Sequence, residues 1–194
     1  MVNTCWSFDM SRPLPRITRA ATVARTRIFH VEEVDLTFPN GLQCTYERLR
    51  RPPRGAVMIV ALTNDNEVLM IREYALGFER YELTLPKGAI DEGESPLEAA
   101  QRELQEECGM GAHELIPLCR LSLAPSYMDH YMHVVIARNL YPAARQGDEP
   151  EPLTLETRAL KDIEEIIEEA DIHEGRVIAA LYRTQAWLAH HSLE

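Results

Sequence analysis

The stretch LPKGAIDEGESPLEAAQRELQEECGM, residues 85–110, begins as a glycine-containing loop and continues in a helical pattern. Ser95 and Glu98 are spaced as a capping box, Pro96 falls at the first helical position, and Gly109 is a typical helix terminator. At about 100° per residue, one face of this helix carries an apolar stripe: Leu97, Ala100, Leu104 and Cys108. The sequence therefore predicts a capped helix with one buried face.

A second face of the predicted helix concentrates negative charge. Glu103, Glu106 and Glu107 are spaced i, i+3, i+4, so their carboxylates lie side by side near the helix C-terminus, where the helix dipole disfavours them. A solvated acidic face is the ordinary interpretation of a glutamate-rich helix. A divalent magnesium or manganese ion prefers oxygen ligands and would relieve both the repulsion and the dipole penalty. We therefore predict a metal site on this face.

Length and composition indicate a single main domain. The chain has 194 residues, 45% of them hydrophobic, and a formal net charge of −11 from 31 acidic and 20 basic residues. Chains of this size usually bury one core. An acidic balance argues against nucleic-acid binding, which needs basic side chains to neutralise phosphates. It is compatible with a small phosphorylated substrate whose contact with the protein is mediated by metal ions.

The cysteines and the lack of long apolar runs indicate a soluble protein. None of the four cysteines forms a C-x-x-C pair, which argues against a zinc site or a disulfide framework. No run approaches the roughly 18 apolar residues of a membrane span, and residues 1–10 lack the pattern of a signal peptide. We expect no membrane association and a cytoplasmic location.

The patterns along the chain predict strands on both sides of the acidic helix and more helix at the end. Residues 1–20 show no periodicity and are predicted to be a flexible arm. Residues 21–54 contain two alternating patterns around the turn sequence PNG at 39–41. The domain proper is predicted at 55–194, with an acidic, proline-containing loop at 146–152. This order of elements predicts an α/β fold with a mixed sheet covered on both faces.

The spacing within the opening stretch is also a family signature. Every fixed position of the Nudix box is occupied: Gly88, Glu94, Arg102 to Leu104, Glu106, Glu107, Gly109 and Met110. The chain therefore resembles the Nudix hydrolase family. The resemblance implies an α/β/α sandwich around a mixed sheet, preceded here by an N-terminal β-hairpin. It also implies an enzyme that cleaves pyrophosphate linkages with the help of a divalent cation.

Sequence outside the box resembles one branch of that family. Segments such as IREYALG, LAPSY and LYPAARQGDEPEPL are similar to the ADP compounds hydrolases, relatives of the ADP-ribose pyrophosphatases. This resemblance implies that ADP linked to another group (ADP-ribose, NADH or a short diadenosine polyphosphate) is cleaved to AMP and a phosphorylated product. Ala75, where many ADP-ribose enzymes have a basic residue, and LPKG at 85–88 leave diadenosine tetraphosphate or a diphosphoinositol open. A non-catalytic nucleotide-sensing module is a further alternative, which the intact box disfavours.

The resemblance implies roles for the residues of the box. The predicted ligands of Mg²⁺, or alternatively Mn²⁺, are three carboxylates and one backbone carbonyl: Glu103, Glu106, Glu107, and Lys87 or Gly88. The cation would neutralise the pyrophosphate and lower the pKa of the attacking water. We expect Arg102 to pair with Glu94 and brace the loop, and Gly109 to end the helix.

A general base is also needed, and the sequence leaves two sources open. One is Glu106. The other is Glu149 or Glu151, because related ADP-ribose enzymes place a glutamate on this loop. A solvated acidic turn is the alternative interpretation of the loop.

The branch resemblance also concerns the adenosine end of the substrate and the assembly. The residues that match its binding segments are Glu47, Arg48 and Arg72. Relatives form homodimers in which the N-terminal strands reach the partner's site, so we expect a homodimer. Residues 1–9 have no counterpart in the branch pattern, and we expect them to be dispensable for folding and catalysis.

Overall fold

A computed structural model describes residues 13–50, 54–169 and 172–191, which form two compact units. One unit contains residues 13–50 and 126–129, and the other contains the remaining described residues. Residues 1–9, which were predicted to be dispensable, lie outside the described residues.

The N-terminal unit is a three-stranded antiparallel sheet. Its strands are β1 Arg16–Arg25, β2 His30–Thr37 and β3 Gln43–Arg50, paired in that order. The predicted turn joins β2 to β3, with Gly41 at a φ of 84° and its N–H bonded to the Phe38 carbonyl at 2.9 Å. Glycine suits this position because it adopts a positive φ without a steric penalty. The predicted hairpin is therefore present, with one strand more than expected.

Strand β1 corrects the prediction of a flexible arm at residues 1–20. The strand begins at Arg16, so residues 16–20 are ordered by pairing with β2. Nearly every side chain of β1 is exposed, and the strand therefore lacks the apolar alternation that reveals a strand in a sequence. Its Arg19 contacts Glu33 at 2.7 Å and Asp35 at 3.3 Å. The predicted boundary between 54 and 55 stays a prediction.

The second unit contains a seven-stranded sheet. Its strands are β4 Ala56–Leu62, β5 Glu67–Ala75, β6 Arg80–Thr84, β7 Lys87–Ala89, β8 Met110–Ser122, β9 Tyr131–Pro142 and β10 Thr154–Ala159. The main path runs β10-β5-β4-β9-β8, while β6 pairs with β5 and β7 pairs with β4. Strands β4 and β9 are parallel and the other pairs are antiparallel, which confirms a mixed sheet.

Helices cover both faces of this sheet. Helix α1 Pro96–Cys108 packs on one face, and α2 Ile163–Glu169 and α3 Gly175–His191 pack on the other. Alternate side chains of β4 enter the two hydrophobic clusters: Val57, Ile59 and Ala61 under α1, and Met58, Val60 and Leu62 under α2 and α3. The predicted α/β/α sandwich is confirmed. In the described part of the chain, no helix is both long and apolar enough to cross a bilayer.

Local sequence determines both ends of α1, as predicted. The Ser95 hydroxyl accepts the Glu98 N–H at 3.3 Å, and the Glu98 carboxylate accepts the Ser95 N–H at 2.8 Å. Gly109 ends the helix in the left-handed region, with a φ of 66°. These caps fix where the acidic face of α1 begins and ends relative to β7 and β8.

Candidate active site

The carboxylate of Glu107 lies against the backbone of β7. It accepts a hydrogen bond from the Lys87 N–H at 2.9 Å. Burial raises the pKa of Glu107 to about 8, although the hydrogen bond and the charge of Lys87 oppose the shift. The Lys87 ammonium pairs with Glu73 on β5. Glu107 is therefore a partly buried acid whose ionisation a nearby cation would favour.

The carboxylate of Glu103 occupies the space beside Gly88. A Cβ on Gly88 would lie 1.9 Å from Oε1 of Glu103, which is far inside a van der Waals contact. Only glycine therefore lets the backbone and the carboxylate approach this closely. Glu103 is 8% exposed, and burial raises its pKa. Glu103 and Glu107 thus both face β7.

Arg102 connects the loop before α1 to two carboxylates of the helix. It donates to both oxygens of Glu94, at 2.8 and 3.0 Å, and these hydrogen bonds hold the pKa of Glu94 below its ordinary value. It also donates to Glu103 at 2.7 Å, to Glu106 at 3.0 Å and to the carbonyl of Ala89 at 2.9 Å. The pairing with Glu94 is the one expected from the sequence. Through these hydrogen bonds, Arg102 holds the loop before α1 and the carboxylates of Glu103 and Glu106 in place.

The loop after β9 is attached to the end of α1 by backbone hydrogen bonds. The Ala143 N–H donates to the Gly109 carbonyl at 2.9 Å, and the Arg145 N–H donates to the Gln105 carbonyl at 3.1 Å. Carbonyls at a helix C-terminus lack partners within the helix, and the loop satisfies the carbonyl of Gly109. The Gln105 carbonyl also accepts the Gly109 N–H, at 3.2 Å. The Arg145 side chain also reaches Glu106, with 3.2 Å between Nε and Oε1.

A cleft of about 540 Å³ lies between β7, α1 and this loop. Its lining includes all three predicted carboxylate ligands and residues of the acidic loop: Lys87, Gly88, Arg102, Glu103, Glu106, Glu107, Arg145, Asp148 and Glu149. A volume of this order is typical of small-ligand sites. The mixture of carboxylates and cations suits an anionic substrate only if positive charge is added to balance the glutamates.

The structure separates the two loop glutamates that the sequence left equivalent. Glu149 lines the cleft, and burial raises its pKa, with further contributions from the negative charges of Glu73 and Asp148. Glu151 instead accepts a hydrogen bond from the hydroxyl of Tyr81 on β6 and is absent from the cleft lining. Of the two, Glu149 is the one positioned to act on a ligand in the cleft.

The donor atoms of the cleft fit a hard divalent cation. Among residues 13–50, 54–169 and 172–191, no three acidic, histidine or cysteine side chains converge into a metal site. The three predicted carboxylate ligands nevertheless line one cleft. Carboxylate oxygens are the ligands that magnesium and manganese prefer. Burial raises the pKa values of Glu103 and Glu107 because it disfavours their charged forms, which a nearby cation would stabilise.

The residues predicted for the adenosine end lie on strands β3 and β5, and both arginines pair with glutamates. Arg72 on β5 pairs with Glu156 on β10 and does not line the cleft. Arg48, in the N-terminal unit, pairs with Glu32 at 2.8 Å. Glu47 is exposed on β3. Their role in substrate binding stays a prediction.

Sequence reasoning missed Arg145 and Asp148, which line the cleft, and Glu73, which pairs with Lys87 beside it. Arg145 stands in a loop that we interpreted through its carboxylates alone, and only the fold shows that it reaches Glu106. Glu73 follows the apolar run of β5 and pairs with Lys87, which is 14 residues away along the chain. An isolated cation in an acidic loop is a signal that would have identified Arg145. No local pattern identifies Glu73.

The sandwich fold and the carboxylate-lined cleft together define a Nudix hydrolase, and the chain belongs to that family. The NUDIX domain matches residues 52–183. The NudE-type Nudix hydrolase N-terminal domain matches residues 15–48. The two matches therefore span nearly all of the described residues.

Proteins similar to this one align with most of its length. ADP compounds hydrolase NudE of Escherichia coli (strain K12) is 49% identical over 181 residues, which cover 92% of this chain and 97% of that protein. ADP-ribose pyrophosphatase of Bacillus subtilis (strain 168) is 29% identical over 84% of this chain and 91% of that protein. A crystal structure of an ADP compounds hydrolase matches with a TM-score of 0.89 at 48% identity, covering 93% of this chain and 97% of that one. The resemblance to this branch is confirmed.

Proposed function

We propose that the protein is a metal-dependent pyrophosphohydrolase that cleaves ADP linked to another group and releases AMP and a phosphorylated product. The cleft in which Glu103, Glu106 and Glu107 face the loop bearing Glu149 carries this proposal. The names of the similar proteins, which refer to ADP compounds and ADP-ribose, support the substrate class. The substrates to test are ADP-ribose, NADH and short diadenosine polyphosphates.

The cation we propose is magnesium, with manganese as the alternative. Its ligands would be the box glutamates and a backbone carbonyl: Glu103, Glu106, Glu107, and Lys87 or Gly88. When bound, such a cation neutralises the pyrophosphate and lowers the pKa of the attacking water. Arg102 holds Glu103 and Glu106 through its hydrogen bonds, so that these carboxylates are ordered before the substrate binds.

Glu149 is the general base that we propose. It lines the cleft, and its raised pKa makes it a better proton acceptor than an ordinary surface glutamate. Glu106 is less available, because its two oxygens already pair with Arg102 and Arg145. Glu151 is also less available, because its carboxylate accepts a hydrogen bond from the Tyr81 hydroxyl. The proton of the attacking water would therefore pass to Glu149.

The remaining parts of the proposal rest on the family resemblance. Glu47, Arg48 and Arg72 would bind the adenosine end of the substrate. The protein would be a homodimer located in the cytoplasm, since the scattered cysteines suit a reducing compartment.

A substrate panel tests the proposed function. The purified protein is incubated in magnesium with ADP-ribose, NADH, diadenosine triphosphate, diadenosine tetraphosphate, a diphosphoinositol and nucleoside triphosphates, and the products are separated by chromatography. We expect AMP from the first three at kcat/KM values above those for the others. A preference for diadenosine tetraphosphate or the diphosphoinositol would instead favour the interpretation suggested by LPKG at 85–88. Binding without cleavage of any compound would identify a sensing module.

A further inference from the structure

A second cavity, of about 530 Å³, lies between the first turn of α1 and strands β8 and β9. None of its lining residues also lines the active-site cleft. Along β9, Val135 belongs to the hydrophobic cluster under α1, whereas Met132 and Val134 belong to the cluster on the other face. Because side chains alternate along a strand, His133 lies on the α1 face together with Val135.

A β-bulge in β8 brings a proline and an arginine to this same face. The register shifts between Pro117 and Cys119, so that Pro117 stands opposite Val135 and Arg120 stands opposite His133. Directly opposed residues of antiparallel strands have their side chains on the same side of the sheet. Arg120 and Pro117 therefore face the cavity beside the two residues of β9.

The walls of the cavity are largely apolar. Four of the side chains that form them carry no polar atom: Pro96, Leu97, Pro117 and Val135. The Ser95 hydroxyl at the edge is already engaged, because it accepts the Glu98 N–H in the helix cap. Sites for small molecules are usually of this size and mainly apolar, with a few polar groups that fix the orientation of the ligand. The walls suit an apolar body such as an aromatic ring system.

Arg120 gives the cavity a positive charge. Its guanidinium lies 5.2 Å from the centre of the Tyr131 ring, and no acidic side chain among the described residues forms an ion pair with it. None of the described residues that line the cavity is acidic, although the chain has a net charge of −11. Burial and the charge of Arg120 lower the pKa of His133, so this ring is neutral near neutral pH. The lining therefore favours an anionic group beside Arg120.

We propose that this cavity is a second binding site, for a small molecule with an apolar body and one anionic group, a carboxylate or a phosphate. The body contacts Leu97 and Val135, and the anionic group accepts hydrogen bonds from Arg120. No residue of the active-site cleft takes part, so this binding is independent of the metal ion and of pyrophosphate cleavage.

The experiment uses three probes that share one naphthalene body: 1-naphthoate, 1-naphthyl phosphate and the neutral 1-naphthamide. They are titrated into the full chain in a chelator, so that no divalent cation recruits the phosphate to the cleft. Methyl resonances of Leu97 and Val135 in NMR spectra report binding at the cavity. We expect both anions to shift these resonances with Kd values of about 1 mM or below, and the amide to bind about tenfold more weakly. The tighter of the two anions identifies the preferred anionic group.

Arg120→Gln removes the charge and leaves the apolar walls in place. We expect the Kd of both anions to rise about tenfold, the scale of a hydrogen bond to a charged group, with no change for the amide. Arg138→Gln is the matched control, because this arginine of β9 also lies over an aromatic ring, that of Trp187 at 6.0 Å, but lines neither cavity. Pro117→Glu, at an exposed position of β8, should weaken the anions more than the amide by charge repulsion.

Three outcomes would overturn the inference. Equal affinities for 1-naphthoate and 1-naphthamide would show that the cavity takes an apolar group alone. Shifts at Lys87 and Gly88, with none at Leu97 and Val135, would place binding in the active-site cleft. A sedimentation coefficient that changes in Arg120→Gln but not in Arg138→Gln would identify the cavity as a contact between copies of the chain.

Discussion

The carboxylate of Glu107 accepts a hydrogen bond from the backbone N–H of Lys87 at 2.9 Å, in surroundings that raise its pKa to about 8. The acidic face of α1 therefore meets the short strand β7 at the carboxylate of Glu107. Neighbouring groups of the protein stabilise the charged form of this carboxylate only in part. Near neutral pH the metal-free protein keeps a proton on Glu107 that a bound divalent cation would displace.

The stability of the metal-free protein should depend on pH through Glu107. Its pKa in the folded state lies above the ordinary value of 4.5, so its contribution to stability is full below about pH 4.5 and is lost as the pH rises through about 8. Measured in a chelator, the Tm of wild type should fall more between pH 6 and pH 9, by several degrees, than that of Glu107→Gln. Glu165→Gln, on the exposed face of α2, is the matched control. Parallel pH profiles for wild type and Glu107→Gln would contradict the assignment.

Catalysis should require the charge of Glu107. Because it is a proposed metal ligand, Glu107→Gln should lower kcat by orders of magnitude while the fold is retained. Glu103→Gln should behave in the same way. Turnover in magnesium is compared with circular dichroism spectra of the same samples. Near-native activity of both variants would refute metal binding by these side chains.

Replacement of Gly88 by alanine should impair catalysis. A Cβ would lie 1.9 Å from Oε1 of Glu103, so Gly88→Ala must displace that carboxylate. We expect kcat/KM to fall at least about tenfold, because misplaced catalytic groups lose rate steeply. Gly77→Ala, where a Cβ meets nothing within 4 Å, provides the control and should keep wild-type activity. Equal activities of the two variants would show that Glu103 need not lie against β7.

Arg145 should contact the phosphates of the substrate. Among the described cations of the cleft, Arg102 is surrounded by acceptors and Lys87 pairs with Glu73, whereas the Arg145 side chain is 55% exposed. Arg145→Ala should raise KM about tenfold with a smaller effect on kcat, the scale of a hydrogen bond to a charged group. Its loop should stay in place, because the attachment to Gln105 uses the backbone. Arg138→Ala, on β9, is the control, and similar KM values for the two variants would contradict the prediction.

The two loop glutamates should differ in their effect on rate. Glu149→Gln should lower kcat by about 10²–10⁴-fold, as expected for loss of a general base, and should remove the acidic limb of the pH–rate profile. That limb arises because the base must be deprotonated, and its raised pKa moves the limb to higher pH. Glu151→Gln should keep most of the activity, since that side chain bonds to Tyr81. The opposite ranking would transfer the role to Glu151.

The sequence predicted those parts of the site that depend on local patterns. Capping residues and helical spacing gave the bounds of α1 and the face that carries Glu103 and Glu107. Strand β1 escaped prediction because its side chains are almost all exposed and therefore follow no apolar alternation. Glu149 and Glu151 are equivalent in sequence, and only the path of the loop over α1 and β6 separates them.

Contacts between distant segments that no family pattern specifies could not be predicted. The pairing of Lys87 with Glu73 results from the way β5, β6 and β7 pack together. No pattern within one segment specifies which side chains of another segment lie nearby.

The attachment of the acidic loop to the end of α1 has a consequence for engineering. Both anchors, at Ala143 and Arg145, use main-chain N–H groups and main-chain carbonyls, and they depend little on which side chains follow. Residues 146–152 could therefore be replaced by loops from other Nudix enzymes with little effect on the helix and the sheet, provided that a glutamate is kept at position 149. The backbone contacts thus hold one wall of the active site in place, so that the substrate specificity could be changed through the loop sequence alone.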